Sequence, residues 1–147
     1  MIHEELVQRE KIKTTVIRLF NATDEQDWET VKACFGPEVH FDVTSMSGGY
    51  PATLNPEQIA SAWEDGLEGI EHVHHQAGNF IIDIDEHEAR VFCYAIAYHY
   101  KELPSGHNSR TYVGTYDFGL SMIDKNHWVI DAFKYNLKFI DGNKDLE

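Results

Sequence analysis

The sequence predicts an α+β fold, with helices laid on one face of a strongly bent antiparallel sheet. Three observations lead there. The first half, to about residue 70, carries helical spacing and helix-boundary residues. The second half, from Glu71 to Phe139, reads as four long alternating strands near 71–84, 88–101, 110–123 and 127–139. These are joined by Asp85-Glu86-His87, by Leu103 to Ser109 and by Asp124-Lys125-Asn126. Short polar connections of this kind make antiparallel neighbours, and helices followed by strands is the α+β pattern.

Residues 2 to about 22 read as a helix with Ile2, Leu6, Ile12, Val16, Leu19 and Phe20 roughly on one side. Asp27 is placed to cap a short second helix with the apolar stripe Trp28, Val31, Cys34 and Phe35, and Gly36-Pro37 stops it. Glu38 to Val43 alternates as a short strand. Thr44 to Leu54, which carries Gly48, Gly49 and Pro51, reads as a loop. In Asn55-Pro56-Glu57-Gln58, Asn caps a helix, Pro takes its first position and Gln58 reaches back. Ile59, Ala62, Trp63 and Leu67 form that helix's buried face, and Gly66 and Gly69 end it.

A chain of 147 residues without repeats or a linker is expected to be one domain, 1–147. Hydrophobic residues make up 42%, enough for a core. A formal charge of −13 argues against nucleic acid and anionic membrane surfaces, which are bound through basic residues. No stretch approaches the roughly 20 apolar residues of a membrane span, and the first residues show no secretory h-region. A cytoplasmic location is expected, with Cys34 and Cys93 as buried free thiols.

Side chains alternate along a strand, so each strand offers two faces. The second long strand has a small-residue face, Ala89, Val91, Cys93, Ala95, Ala97 and His99, and a bulky one, Arg90, Phe92, Tyr94, Ile96, Tyr98 and Tyr100. The small face leaves volume that a helix or a ligand must fill. His75, Ala77, Asn79, Ile81 and Asp83 share a face of the preceding strand, so the hairpin brings His75 and His99 toward the same end. On the third strand the list with polar members is Thr111, Val113, Thr115, Asp117, Gly119 and Ser121. It either lines a pocket with His99 or lies on a wet outer face.

Several features occur together in a familiar order. Asp24-Glu25-Gln26-Asp27-Trp28 is followed by Val31 and Phe35, then by Val39-His40-Phe41-Asp42. His75-Gln76-Ala77-Gly78-Asn79 opens a long strand, and a polar turn leads to Trp128. Over about residues 5–140 the chain resembles the SnoaL-like group of the NTF2-like (nuclear transport factor 2-like) superfamily, nearest to scytalone dehydratase and hexachlorocyclohexane dehydrochlorinase. The resemblance implies a cystatin-like α+β barrel: a cone-shaped curved sheet around the N-terminal helices, with a deep apolar pocket. It implies an Asp–His dyad at Asp24 and His75, a second pocket histidine at His99, and Thr115 and Asp117 as polar pocket residues. Trp63 and Tyr50 are further expected substrate contacts. No cofactor is implied, nor a metal.

The dyad makes chemical sense. A neutral imidazole is a competent base near pH 7, and a carboxylate on its other nitrogen fixes the tautomer and stabilises the imidazolium. The expected function is a cofactor-independent lyase or isomerase of the dehydratase type, acting on a small apolar or cyclic substrate. The alternative is a non-catalytic small-molecule-binding protein or subunit with the same fold. An epoxide-hydrolase-like use of Asp117 would need an Asp–Arg–Asp set, for which Arg90 and Arg110 are the nearest arginines. The family forms dimers or trimers, and the bulky outer face would be a large apolar patch in water. A homodimer or homotrimer through that face is therefore expected.

Overall fold

The computed structural model describes residues 2–147, so Met1 of the expected domain lies outside the described residues. The elements are helices α1 (Ile2–Asp24) and α2 (Trp28–Ala33), strand β1 (Phe35–Asp42), helix α3 (Thr44–Ser47), strand β2 (Ala52–Leu54), helix α4 (Pro56–Gly66), and strands β3 (His72–Asp85), β4 (Glu88–Tyr100), β5 (Ser109–Asp124) and β6 (His127–Gly142). The four long strands and the two capped helices stand where the sequence places them. The segment 44–54 departs from a plain loop, since it holds α3 and the edge strand β2, which pairs with β1.

The six strands run in the order β2-β1-β6-β5-β4-β3. The β3–β4–β5–β6 meander is antiparallel. β1 instead pairs with β6 in parallel, so the expected antiparallel sheet is a mixed one. The sheet is curved but does not close into a barrel, because β2 and β3 are its free edges. Register shifts at Gly78/Ile81 and at three places along β5–β6 mark bulges, and bulges bend the strands that carry them.

α1 lies across the inner face, against β3 and β6. Ile12, Val16, Leu19 and Phe20 are buried there, whereas Ile2 and Leu6, near the start of the helix, are exposed. The small-residue face of β4 turns inward: Ala89, Val91, Cys93 and Ala95 are buried in one core with α1. The helix thus fills most of the volume those residues leave. Ala97 and His99, at one end, border the inner cavity.

The bulge in β3 changes which residues face inward. Asn79 adopts a left-handed backbone, φ 54°. Val73 is buried on one side of it, but Ile82 is buried on the other, and Ile81 is 60% exposed. His75, Ile81 and Asp83 therefore do not share a face as simple alternation predicts, because the extra residue of a bulge shifts the period by one.

Candidate active site

α1 ends in a left-handed turn. Gln26, φ 54°, donates to the Thr23 carbonyl and Asp27 to the Ala22 carbonyl, the two bonds of a Schellman termination. This stop makes Asp24 the last helical residue. Asp27 serves the next helix, accepting from the Thr30 amide and hydroxyl, which leaves Asp24 free for a distant partner.

That partner is His75. Its Nδ1 lies 2.6 Å from Asp24 Oδ1, and its backbone N–H donates to the same carboxylate at 2.9 and 3.1 Å. Both side chains are nearly covered, at 11% and 15% exposure. A carboxylate at a helix C-terminus meets the unfavourable end of the dipole, and the N–H groups of His75 offset this. An ionised carboxylate can only accept, so Nδ1 carries the proton and Nε2 keeps its lone pair. Phe20 stacks on the imidazole, with centroids 5.2 Å apart and planes 19° apart, and holds the ring plane.

His75 borders a cavity of about 340 Å³. α1 contributes Leu19, Phe20 and Thr23; the α3 segment Val43 and Met46; α4 Ala62, Trp63, Gly66 and the following Leu67; the strands Ala97, His99, Arg110, Tyr112, Tyr116, Phe133 and Tyr135. The volume lies within the range of small-molecule sites, and an apolar wall with a few polar groups is their usual make-up. The Tyr135 hydroxyl is buried and has no hydrogen-bond partner among the described residues. It sits over Gly114, where a Cβ would lie 2.7 Å from it.

In the β3–β4 hairpin His75 pairs with Ala97, and His99 with Val73. The two histidines are thus diagonal neighbours on one face. His99 Nδ1 accepts from Arg110 Nε at 3.0 Å. Burial above all, helped by the charge of Arg110, pushes the His99 pKa down to about 4, so its ring is neutral at pH 7. Burial raises the Cys34 thiol to about 11 and the Cys93 thiol to about 12. Neither is ionised at neutral pH, and neither lines the cavity.

Of the expected site residues, Asp24 and His75 meet, and His75, His99 and Trp63 line the cavity. Thr115, Asp117 and Tyr50 do not. Thr115 and Asp117 lie on the opposite face of β5, where both accept from the Asn136 amide, at 3.1 and 2.8 Å. The reason is volume: β4 presents small residues inward, and its direct partners on β5 are Tyr112, Gly114, Tyr116 and Phe118. The three aromatic side chains of that set fill the space, and the polar list turns outward. Asp117 borders a separate depression of about 820 Å³ with Arg90 and Lys134, which removes it from any Asp–Arg–Asp set in the cavity. Tyr50, in the connection between α3 and β2, is 92% exposed. Arg110, Tyr112, Tyr116 and Tyr135 are lining residues the sequence reading missed. For Tyr112 and Tyr116, bulk opposite the small face of β4 was the available signal.

His72 and His74 lie on the outer face beside Tyr100 and Tyr98. Among the described residues no group of three or more His, Cys, Asp or Glu is arranged to hold a metal ion. None of the described helices is long and apolar enough to cross a membrane.

The order of elements and the Asp–His pair beside an apolar hollow define a class. The SnoaL-like domain model matches residues 4–134, and the chain belongs to that family. Among solved structures, the protein Kfla4162 from Kribbella flavida superposes with a TM-score of 0.87 at 17% identity, covering 93% of this chain and 95% of its own. A presumptive scytalone dehydratase from Novosphingobium aromaticivorans gives 0.82 at 19% identity, covering 97% and 92%. The hexachlorocyclohexane dehydrochlorinase LinA-type3 from Novosphingobium barchaimii gives 0.81 at 11%, covering 97% and 94%. At these identities the likeness establishes the fold. Comparison with curated proteins gave no match.

Proposed function

We propose that the chain is a lyase or isomerase that takes a proton from carbon in a small, apolar or cyclic substrate, with His75 as general base and Asp24 as its orienting group. The observation that carries this reading is the 2.6 Å contact between His75 Nδ1 and Asp24 Oδ1 at the wall of an apolar cavity. With Nδ1–H held by the carboxylate, Nε2 presents its lone pair, and the imidazolium formed on proton transfer sits beside a fixed negative charge. Phe20 stacks on the imidazole and both side chains of the pair are nearly covered, which strengthens that pairing relative to open water. His99, diagonal to the base, serves as the donor to a leaving group or a developing oxyanion. Side chains alone supply this acid–base chemistry. The family's dehydratase-like and dehydrochlorinase members support the same class of reaction.

The test is turnover of a panel of hydroxy- and halo-substituted ring compounds by the wild type and by His75→Ala. Loss of turnover in the variant supports the proposal. Binding of the same compounds with equal or absent turnover in both proteins would instead mark a non-catalytic binding protein.

A further inference from the structure

We infer that Arg110 is a positioning residue that holds His99 as a neutral N–H donor, so that the cavity takes a ligand with an uncharged oxygen acceptor beside the carbon that His75 deprotonates. The substrate class named here rests on His75 acting as the base; the role of Arg110 does not.

The inference follows from which nitrogen each ring has left. A guanidinium has donors and no acceptor. Arg110 Nε–H therefore fixes the lone pair of His99 on Nδ1 and its proton on Nε2. Asp24 does the reverse to His75, placing the proton on Nδ1 and the lone pair on Nε2. Two imidazoles with their N–H groups fixed on opposite nitrogens thus stand diagonally on one hairpin face, one directing Nδ1–H to a carboxylate and the other accepting at Nδ1. Both line the same cavity.

A substrate matching this pair carries a C–H on the carbon next to a carbonyl. As the proton moves to His75 Nε2, the C–H electron pair becomes a carbon–carbon double bond, and charge passes to the oxygen that His99 holds. The enol or enolate then either regains a proton at another carbon or expels a group from the β-carbon. Both courses balance without an added oxidant or reductant.

Arg110 itself is poorly placed to grip a carboxylate. Its Nε serves His99, its Nη1 donates to the Lys144 carbonyl at 2.9 Å, and its guanidinium lies 5.5 Å from the centre of the Tyr112 ring. The Nε–H that side-on, two-point carboxylate binding would use is taken by His99, and the Lys144 carbonyl takes a donor at Nη1. A carboxylate ligand would also enter beside the Asp24 charge. A carbonyl oxygen is the acceptor that fits.

The experiment has two arms. Long-range ¹H–¹⁵N spectra at pH 7 assign the tautomer of each histidine in the wild type, Arg110→Met and His99→Asn. We expect His99 protonated on Nε2 in the wild type and mixed between the two tautomers in Arg110→Met, with the His75 signals unmoved. Calorimetric titration with 2-tetralone, tetralin and 1,2,3,4-tetrahydro-2-naphthoate ranks acceptors on one ring size. The ketone is expected to bind about tenfold tighter than the hydrocarbon, as one added hydrogen bond allows, and tighter than the carboxylate. The preference should shrink in His99→Asn and persist in His75→Ala, which separates it from failure of the base. A wild-type His99 protonated on Nδ1, or ketone binding that is absent or no tighter than that of tetralin or the carboxylate, overturns the inference. Should Arg110→Met fail to fold, the wild-type tautomer and the probe ranking decide alone.

Discussion

Replacing His99 with Asn is expected to flatten the acid side of the stability curve. His99 ionises at about 4 in the folded chain rather than at 6.5; burial is the main cause, followed by the charges of Arg110 and His75, while Asp24 opposes them. An unfolded chain binds this proton at higher pH than the folded one. Unfolding therefore takes up a proton between the two values, and stability falls as the solution is acidified through that window. The group's contribution is nearly intact at pH 7. About 2 kcal/mol is lost by about pH 5, and about 3 kcal/mol by about pH 4. Asn keeps a carbonyl to accept from Arg110 but takes up no proton. Urea unfolding followed by tryptophan fluorescence at pH 7, 6 and 5 gives both curves. The wild type should lose about 2 kcal/mol more than the variant over that range. Parallel curves would refute the reasoning, because they would mean that His99 is protonated as readily folded as unfolded.

Three further expectations concern packing and assembly. Gly114→Ala should destabilise by about 2 kcal/mol or more in denaturant unfolding, since the new Cβ would lie 2.3 Å from the Asn136 carbonyl and 2.7 Å from the Tyr135 hydroxyl; unchanged stability would contradict the close approach. Tyr135→Phe should be neutral or stabilising by up to about 1 kcal/mol, because the hydroxyl it removes is buried without a partner among the described residues; a clear loss of stability would show a bond there. Finally, Tyr94, Tyr98 and Ile81 are exposed on the outer sheet face, and we propose that a second copy of the chain covers them. Light scattering at micromolar concentration should give a dimer or trimer, and a monomer would count against this.

Much of the fold was legible because local signals and global pattern agreed. Asp27 and Asn55 cap the helices they precede, and short polar turns set the meander. Some features needed information that alternation does not hold. The bulge at Asn79 moves the inward face of β3 by one residue, and nothing in the apolar pattern announces it. The parallel pairing of β1 with β6 depends on how the chain returns after α2. Alternation leaves the face of β5 open, and the resemblance alone places Thr115 and Asp117 in the pocket. Packing decided instead: Ala97, Ala95 and Cys93 on β4 stand opposite Tyr112, Gly114 and Tyr116, and the aromatic members supply the missing volume. Asp24 was legible through the family resemblance, and the cap role of Asp27 left it free for a partner. Arg110 was not, since its role exists only through His99, its direct partner across the β4–β5 pair.

The central claim is that His75, oriented by Asp24, takes a proton from carbon inside the cavity. Hydrogen–deuterium exchange at the carbons flanking the carbonyl of 2-tetralone, followed by NMR in D₂O, reads that step without requiring the natural substrate. The account predicts exchange accelerated by the wild type and reduced about a hundredfold or more in both His75→Ala and Asp24→Asn. Exchange at the same rate in all three proteins would contradict it.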